Sequence, residues 1–178
     1  MEKIKELRKI FTKRNLDGYL IPKNDEFFTE YTPKHNDRLN FITDFSGSYG
    51  FALILKSKNY LFVDGRYTLQ AFNQSGKDFK IITFPKIMPI KLLKDKEFRI
   101  GFDPKLFTKK TLNFFFNFNK IKMVPIFENL IDKIWKRKNK RRNNKFYILP
   151  KSSFNDSYKT KINRIINILK KKVLIFFL

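Results

Sequence analysis

The 178-residue chain has no cysteine and a single histidine, His35. The first absence removes disulfides and thiolate metal sites and fits a reducing compartment. The second removes a histidine-based metal cluster and leaves no base with partners arranged around it for a catalytic triad. With Pro33 and Lys34 before it and Asn36 after it, His35 reads as an exposed loop residue. Acidic residues are scarce too, 16 against 39 Lys and Arg, for a formal net charge of +23. The longest apolar run, Val173 to Leu178, is far short of the ~20 residues of a membrane helix. Met1 to Leu20 carries charges throughout and has no apolar core of signal-peptide length.

Against these absences stand 42% hydrophobic and 17% aromatic residues, enough for a packed core and against disorder. The length suits one domain of ordinary size plus a remnant. The excess of positive charge has two explanations. Nucleic acid or another acidic surface is the usual inference from such a charge. Here, however, Lys is spread along the whole chain, and Lys, Asn, Ile and Phe, all abundant, share codons rich in A and T. Coding bias is therefore the favoured explanation.

Ile4, Leu7, Ile10 and Phe11 recur at helical spacing, which predicts an amphipathic helix ending near Asp17-Gly18. Tyr19-Leu20-Ile21 before Pro22 is a short strand. Asn36 or Asp37 can cap a helix carrying Leu39, Phe41 and Ile42. Phe51–Leu55 and Tyr60–Val63, separated by Lys56-Ser57-Lys58-Asn59, have the pattern of a hairpin. A helix should follow Asp64. Phe79–Phe84, Phe98–Phe102 and Lys122–Ile126 read as strands, with helices at Lys86–Lys94 and Thr108–Phe118. Strands alternating with helices, with one hairpin among them, indicate an α/β layered domain built on a mixed sheet with flanking helices.

Residues 1–135 form that first domain in this reading, and residues 136–150 form a basic linker. Residues 151–178 open a second domain. There Tyr158, Ile162, Ile165, Ile166 and Leu169 mark one helical face, and Val173–Phe177 reads as a strand after Lys170-Lys171-Lys172. A helix and a strand alone cannot enclose a core, so the second unit is a short remnant. The run Lys136 to Arg142 could neutralise phosphates without reading sequence. It lacks interleaved stacking aromatics, so a solvated linker is preferred.

Several motifs follow one another in a telling order. They are Glu30-Tyr31, Asp37-Arg38, Phe41-Ile42 with Phe45, Gly47-Ser48 and Gly50, and then Asp64-Gly65-Arg66-Tyr67 with Gln70-Ala71. Gly101, Asp103-Pro104 and the stretch Glu128 to Trp135 come next, and the tail from Ser157-Tyr158 through Leu169 closes the series. The set resembles the N-terminal domain of the three-domain Xaa-Pro aminopeptidases, the aminopeptidase P branch of the creatinase/prolidase group. Asp44 stands where that pattern has Gly, Tyr49 where it has a small residue, Leu39 where it has a second Arg, and Phe27-Phe28 where His-Gln is frequent.

The resemblance implies a creatinase-type N-terminal fold and a cytoplasmic relative that removes the residue ahead of proline. It also implies that two manganese ions are held by a C-terminal domain whose ligand motifs have no counterpart here, so no catalytic or metal-binding residue is expected in this chain. It implies a supporting role in oligomer contacts and in access to the active-site cleft. The expected partners are a second copy or a separately encoded catalytic domain, and the chain reads as a truncated product. A basic nucleic-acid-binding protein and a degraded gene product without function are the alternatives.

The residues singled out for binding, or for structure alone, are Asp64, Arg66, Tyr67 and Arg38. Asp64 can accept from backbone N–H groups, and Gly65 permits a tight turn. Arg66 presents a planar cation suited to a carboxylate, or else it pairs internally with Asp37 or Asp64. Gly47-Ser48-Tyr49-Gly50 lacks the Gly-Lys-Ser/Thr of a phosphate loop and reads as a turn into the next strand.

Overall fold

The computed structural model describes residues 2–93, 97–116, 121–137, 145 and 147–176. The chain divides into two compact units, Met1–Asn139 and Lys140–Leu178.

In the first unit, β1 (Gly18–Pro22), β2 (Phe51–Leu55), β3 (Asn59–Val63), β4 (Lys80–Thr83), β5 (Phe98–Phe102) and β6 (Ile121–Pro125) form one sheet. Their order is β4-β3-β2-β1-β5-β6. β1 and β3 run antiparallel to β2, whereas β4 is parallel to β3, and β5 and β6 extend parallel from β1. The sheet is mixed, as expected, and all six strands, the two of the hairpin among them, lie within one residue of their predicted spans.

Helices cover both faces, which explains why the central strands are apolar at nearly every position rather than alternating. One face packs α1 (Glu2–Lys13), α2 (Arg38–Thr43), α3 (Thr68–Ser75) and α6 (Leu130–Ile134). There Leu7, Phe11, Leu39 and Ile131 meet Tyr19, Ile21, Ala52 and Ile54. The other face packs α4 (Pro89–Leu92) and α5 (Lys109–Phe116), with Leu112, Phe115 and Phe116 over Leu20, Phe51, Leu53 and Phe62.

Local chemistry sets the element ends. α1 stops at Lys13, four residues before the predicted stop, because Asn15 takes a left-handed backbone (φ 54°) and turns the chain so that Leu16 is buried. Asp37 caps α2, its Oδ1 accepting from Asn40 N at 3.0 Å. Asn129 does the same for α6 through Ile131 N at 2.9 Å. The helices expected at Lys86–Lys94 and Thr108–Phe118 are shorter, and residues 94 and 117–118 lie outside the described residues.

The second unit holds a short turn at Lys151–Ser153 and one long helix, α7 (Tyr158–Phe176). Ser157 opens it, its Oγ accepting from Thr160 N at 3.1 Å. Of the strand expected at Val173–Phe177, residues 173–176 continue the helix instead, and residue 177 lies outside the described residues. No glycine or proline interrupts the segment, and β-propensity is expressed only beside a partner strand. A helix instead satisfies its backbone groups within itself. The predicted apolar face of α7, including Ile162, Ile165, Ile166 and Leu169, is exposed. No helix among the described residues is long and apolar enough to cross a membrane.

Candidate functional site

The segment between β3 and α3 places three of the four candidate residues together. Asp64 leaves β3 in extended conformation, and its Oδ1 accepts from Arg66 N at 2.9 Å, which fixes a single helical turn over Gly65–Tyr67. Arg66 Nη2 donates to Asp64 Oδ2 at 2.7 Å. Its internal partner is therefore Asp64, and Asp37 is engaged elsewhere. This ion pair is the main reason the Asp64 carboxyl lies below its ordinary value and the Arg66 guanidinium above its own. Arg66 remains 76% exposed at its side chain and lies 5.4 Å from the Tyr67 ring centroid.

Gly65 is not needed for this turn. No glycine has a positive φ, and a Cβ at residue 65 would meet nothing within 4 Å.

Tyr67 ties the turn to the loop entering β2. Its hydroxyl and Ser48 Oγ are 2.7 Å apart. Ser46 Oγ in the same loop accepts from Gln70 Nε2 at 3.0 Å and from Gln74 Nε2 at 2.9 Å on α3. The Gly47–Gly50 stretch is thus a turn leading into β2, held by side chains.

Ser46 and Ser48 also line a polar cleft of ≈ 480 Å³, with Lys23, Glu30, Lys34 and Asp37 on its other walls. Buried Lys23 donates from Nζ to Asp37 Oδ2 at 2.6 Å. The cleft can take a polar group by hydrogen bonding. Ser48 has Tyr67 as its partner rather than a histidine or carboxylate base, so it has no activated nucleophile. His35 sits half-buried, rather than exposed, in the turn before α2.

Arg38 belongs to a different network. It is 3% exposed, and its Nε and Nη2 donate to Asp132 Oδ1 and Oδ2, each at 2.9 Å. Nη2 also donates to Glu26 Oε1 at 2.8 Å. Burial alone would lower the Arg38 pKa, but the carboxylates of Asp132 and Glu26 outweigh it and raise the pKa. For Glu26, burial acts upward and the Arg38 hydrogen bond prevails, holding the carboxyl below its ordinary range. Arg137 reaches the same Asp132 and lies 4.7 Å from the Trp135 ring centroid, while Trp135 stacks on Phe41 at 4.7 Å.

Arg38 itself is buried away from any ligand carboxylate, which sets it apart from Arg66. Neither Glu26 nor Asp132 is recognisable as its partner from local pattern. Asp132 is 94 positions away, and its one cue is a lone carboxylate in the apolar stretch Leu130 to Ile134. Lys138–Arg142 of the basic run lie outside the described residues.

Among the described residues, no group of three or more His, Cys, Asp or Glu side chains could hold a metal ion. They offer no cradle for a di-nuclear centre.

The probable Xaa-Pro aminopeptidase P of Coprinopsis cinerea is 30% identical over an alignment of 171 positions that covers 89% of this chain and 27% of that protein. The chain thus spans little more than a quarter of that relative. The X-prolyl aminopeptidase of Caenorhabditis elegans, described as a cytosolic enzyme with a di-nuclear active site, is 26% identical in sequence and superposes with a TM-score of 0.81. That superposition covers 96% of this chain and 31% of the enzyme. The N-terminal domain of the Mycobacterium tuberculosis peptidase PepQ shares the fold at 19% identity, with a TM-score of 0.58 over 75% of this chain. Residues 3–133, which hold the whole six-stranded sheet and every candidate residue above, match the creatinase/prolidase N-terminal domain. The chain belongs to that family and is related through it to the Xaa-Pro aminopeptidases.

Proposed function

We propose that this chain is the non-catalytic N-terminal part of a cytoplasmic Xaa-Pro aminopeptidase-like metallopeptidase. Hydrolysis of the bond ahead of proline, and the two manganese ions it needs, belong to catalytic polypeptide outside the described residues. The observation that carries this reading is the superposition on the C. elegans enzyme, which takes in nearly all of this chain and under a third of the enzyme. In this reading residues 1–135 are the folded support, 136–150 a linker and 151–178 the opening of the next domain. The exposed Arg66, held at a fixed angle by Asp64 and Tyr67, faces outward as a contact for a carboxylate on the catalytic polypeptide or on a second copy. There it would help to close access to the active-site cleft.

The test has two arms. Purified chain with manganese should leave an Xaa-Pro peptide intact, because a metal activates water only where ligands hold it with an open position. Co-expression with the catalytic domain of a relative should give a complex that Arg66→Ala weakens. Chelator-sensitive turnover by the chain alone, surviving further purification, overturns the proposal. So does failure of any such complex to form.

A further inference from the structure

A second cavity lies at the other end of the loop that follows β1. Its volume is ≈ 250 Å³, and its walls are the rings of Phe28, Tyr49, Phe51, Phe107 and Phe115. Phe51 and Phe115 form the floor, stacked with centroids 4.3 Å apart. The cavity opens beyond the carboxyl end of β1 at Pro22, beside the segment that follows the parallel strand β5. In open α/β sheets such crevices are the usual ligand positions. None of its lining residues is charged, in a chain where 31% of residues are.

Phe28 and Tyr49 build the mouth. They occupy positions where the pattern that the chain resembles has a polar and a small residue. They come together here, 52% and 42% exposed. Phe28 adopts a left-handed backbone (φ 53°), uncommon for a bulky side chain and characteristic of ligand clamps. Buried Asp25 enforces that conformation, its Oδ1 accepting from Phe27 N at 3.1 Å, Thr29 N at 3.3 Å and Thr29 Oγ1 at 2.9 Å. Beside the hydroxyls of Tyr49 and Thr111, the latter paired with Thr108 Oγ1 at 2.8 Å, the polar side chain on the wall is Asn24. Its Nδ2 protons go to Leu106 O at 3.0 Å and Asp25 O at 3.3 Å, which leaves Oδ1 as an acceptor without a partner among the described residues.

We propose that this pocket binds a small neutral aromatic compound of one or two rings with a ring N–H, of the indole class, which donates to Asn24 Oδ1. Size supports a bicycle, because a dry apolar cavity of about 150 Å³ already accepts benzene. Charge selects against the other ligands that aromatic walls favour. A cation would suit the ring faces, but the +23 chain repels it, and an anion finds no cation on the lining.

The test is a titration of the ¹⁵N-labelled full chain, followed by amide chemical shifts. Indole should perturb residues around Asn24, Phe28, Tyr49 and Phe107 and saturate. N-methylindole, which lacks the donor, should bind about 3–10-fold more weakly, as the loss of one hydrogen bond implies. Phe28→Ala and Tyr49→Ala should each weaken indole several-fold. Both side chains are exposed, so an unchanged, dispersed spectrum will show that the variants fold. Shifts scattered over the surface, equal affinity for the two indoles, or no effect of either substitution overturns the site. N-acetyltryptophanamide carries the same ring on a peptide backbone. If it binds more tightly than indole, the occupant is a protein side chain and the free-compound assignment is overturned.

Discussion

Replacing Arg38 by alanine should destabilise the first unit more than any change to the exposed Asp64–Arg66 turn. Arg38 is 3% exposed and makes three charge-assisted hydrogen bonds, two to Asp132 and one to Glu26. Its removal leaves those carboxylates facing one another across a cavity, with only Arg137 still at Asp132. Breaking a fully buried pair from one side costs about 3–5 kcal/mol. Two features lower that figure here. The Glu26 and Asp132 side chains are 31% and 30% exposed, so water can reach the carboxylates. Arg38 Nη1 and Glu26 Oε2 are also already buried without a partner, so the native pairing is incomplete. The expected loss is about 2–4 kcal/mol, or about 6–15 °C in melting temperature for a unit of this size.

The single tryptophan provides the assay. Trp135 stacks on Phe41, three residues beyond Arg38 in α2, so its fluorescence during urea unfolding reports on this region. Arg38→Lys should recover part of the loss, because it keeps the charge but not the paired bonds to Asp132. A loss below about 1 kcal/mol for Arg38→Ala would refute the structural assignment and return Arg38 to the candidate ligand-binding residues.

Acid should weaken the fold through Glu26. Its carboxyl titrates below its ordinary value in the folded state despite burial, so the stabilisation is complete above the ordinary carboxylate range and is lost as pH falls through and below it. Urea midpoints measured from pH 7 down to pH 3 should therefore fall less steeply for Glu26→Gln, and an identical slope would contradict the sign. Gly18→Ala should cost about 1–3 kcal/mol, because its Cβ would stand 2.8 Å from Ile54 O and 2.6 Å from Leu55 Cδ2. Gly65→Ala should be neutral, or stabilising by about 0.4–1 kcal/mol, and equal losses in the two variants would show that the turn needs its glycine. Arg66→Ala should leave the melting temperature unchanged, since its pairing with Asp64 is solvent-exposed. A clear drop would place Arg66 in the folded scaffold.

The sheet was legible because its strands are sandwiched. Burial on both faces makes Phe51–Leu55 and Tyr60–Val63 continuous apolar runs, and the polar Lys56–Asn59 interval between them allows only a tight return. α1 was legible for the opposite reason, since one-sided burial spaces Ile4, Leu7 and Phe11 at the helical period. What was not legible depended on partners that local pattern cannot name. Val173–Phe177 has the composition of a strand, yet residues 173–176 are helical, and helix is the state that satisfies the backbone without a partner strand. Asp37-Arg38 and Asp64-Gly65-Arg66-Tyr67 look alike as acidic-basic motifs, and the sequence offered both for binding. Only the fold separates them, by setting Asp132 against Arg38 from 94 positions away and giving Arg66, among the described residues, nothing beyond its own turn and the neighbouring ring. Of two arginines with equal chemistry, the one bonded through Nε and Nη2 to Asp132 and Glu26 holds the domain together. The one turned outward is paired only within its own turn and stays 76% exposed at its side chain.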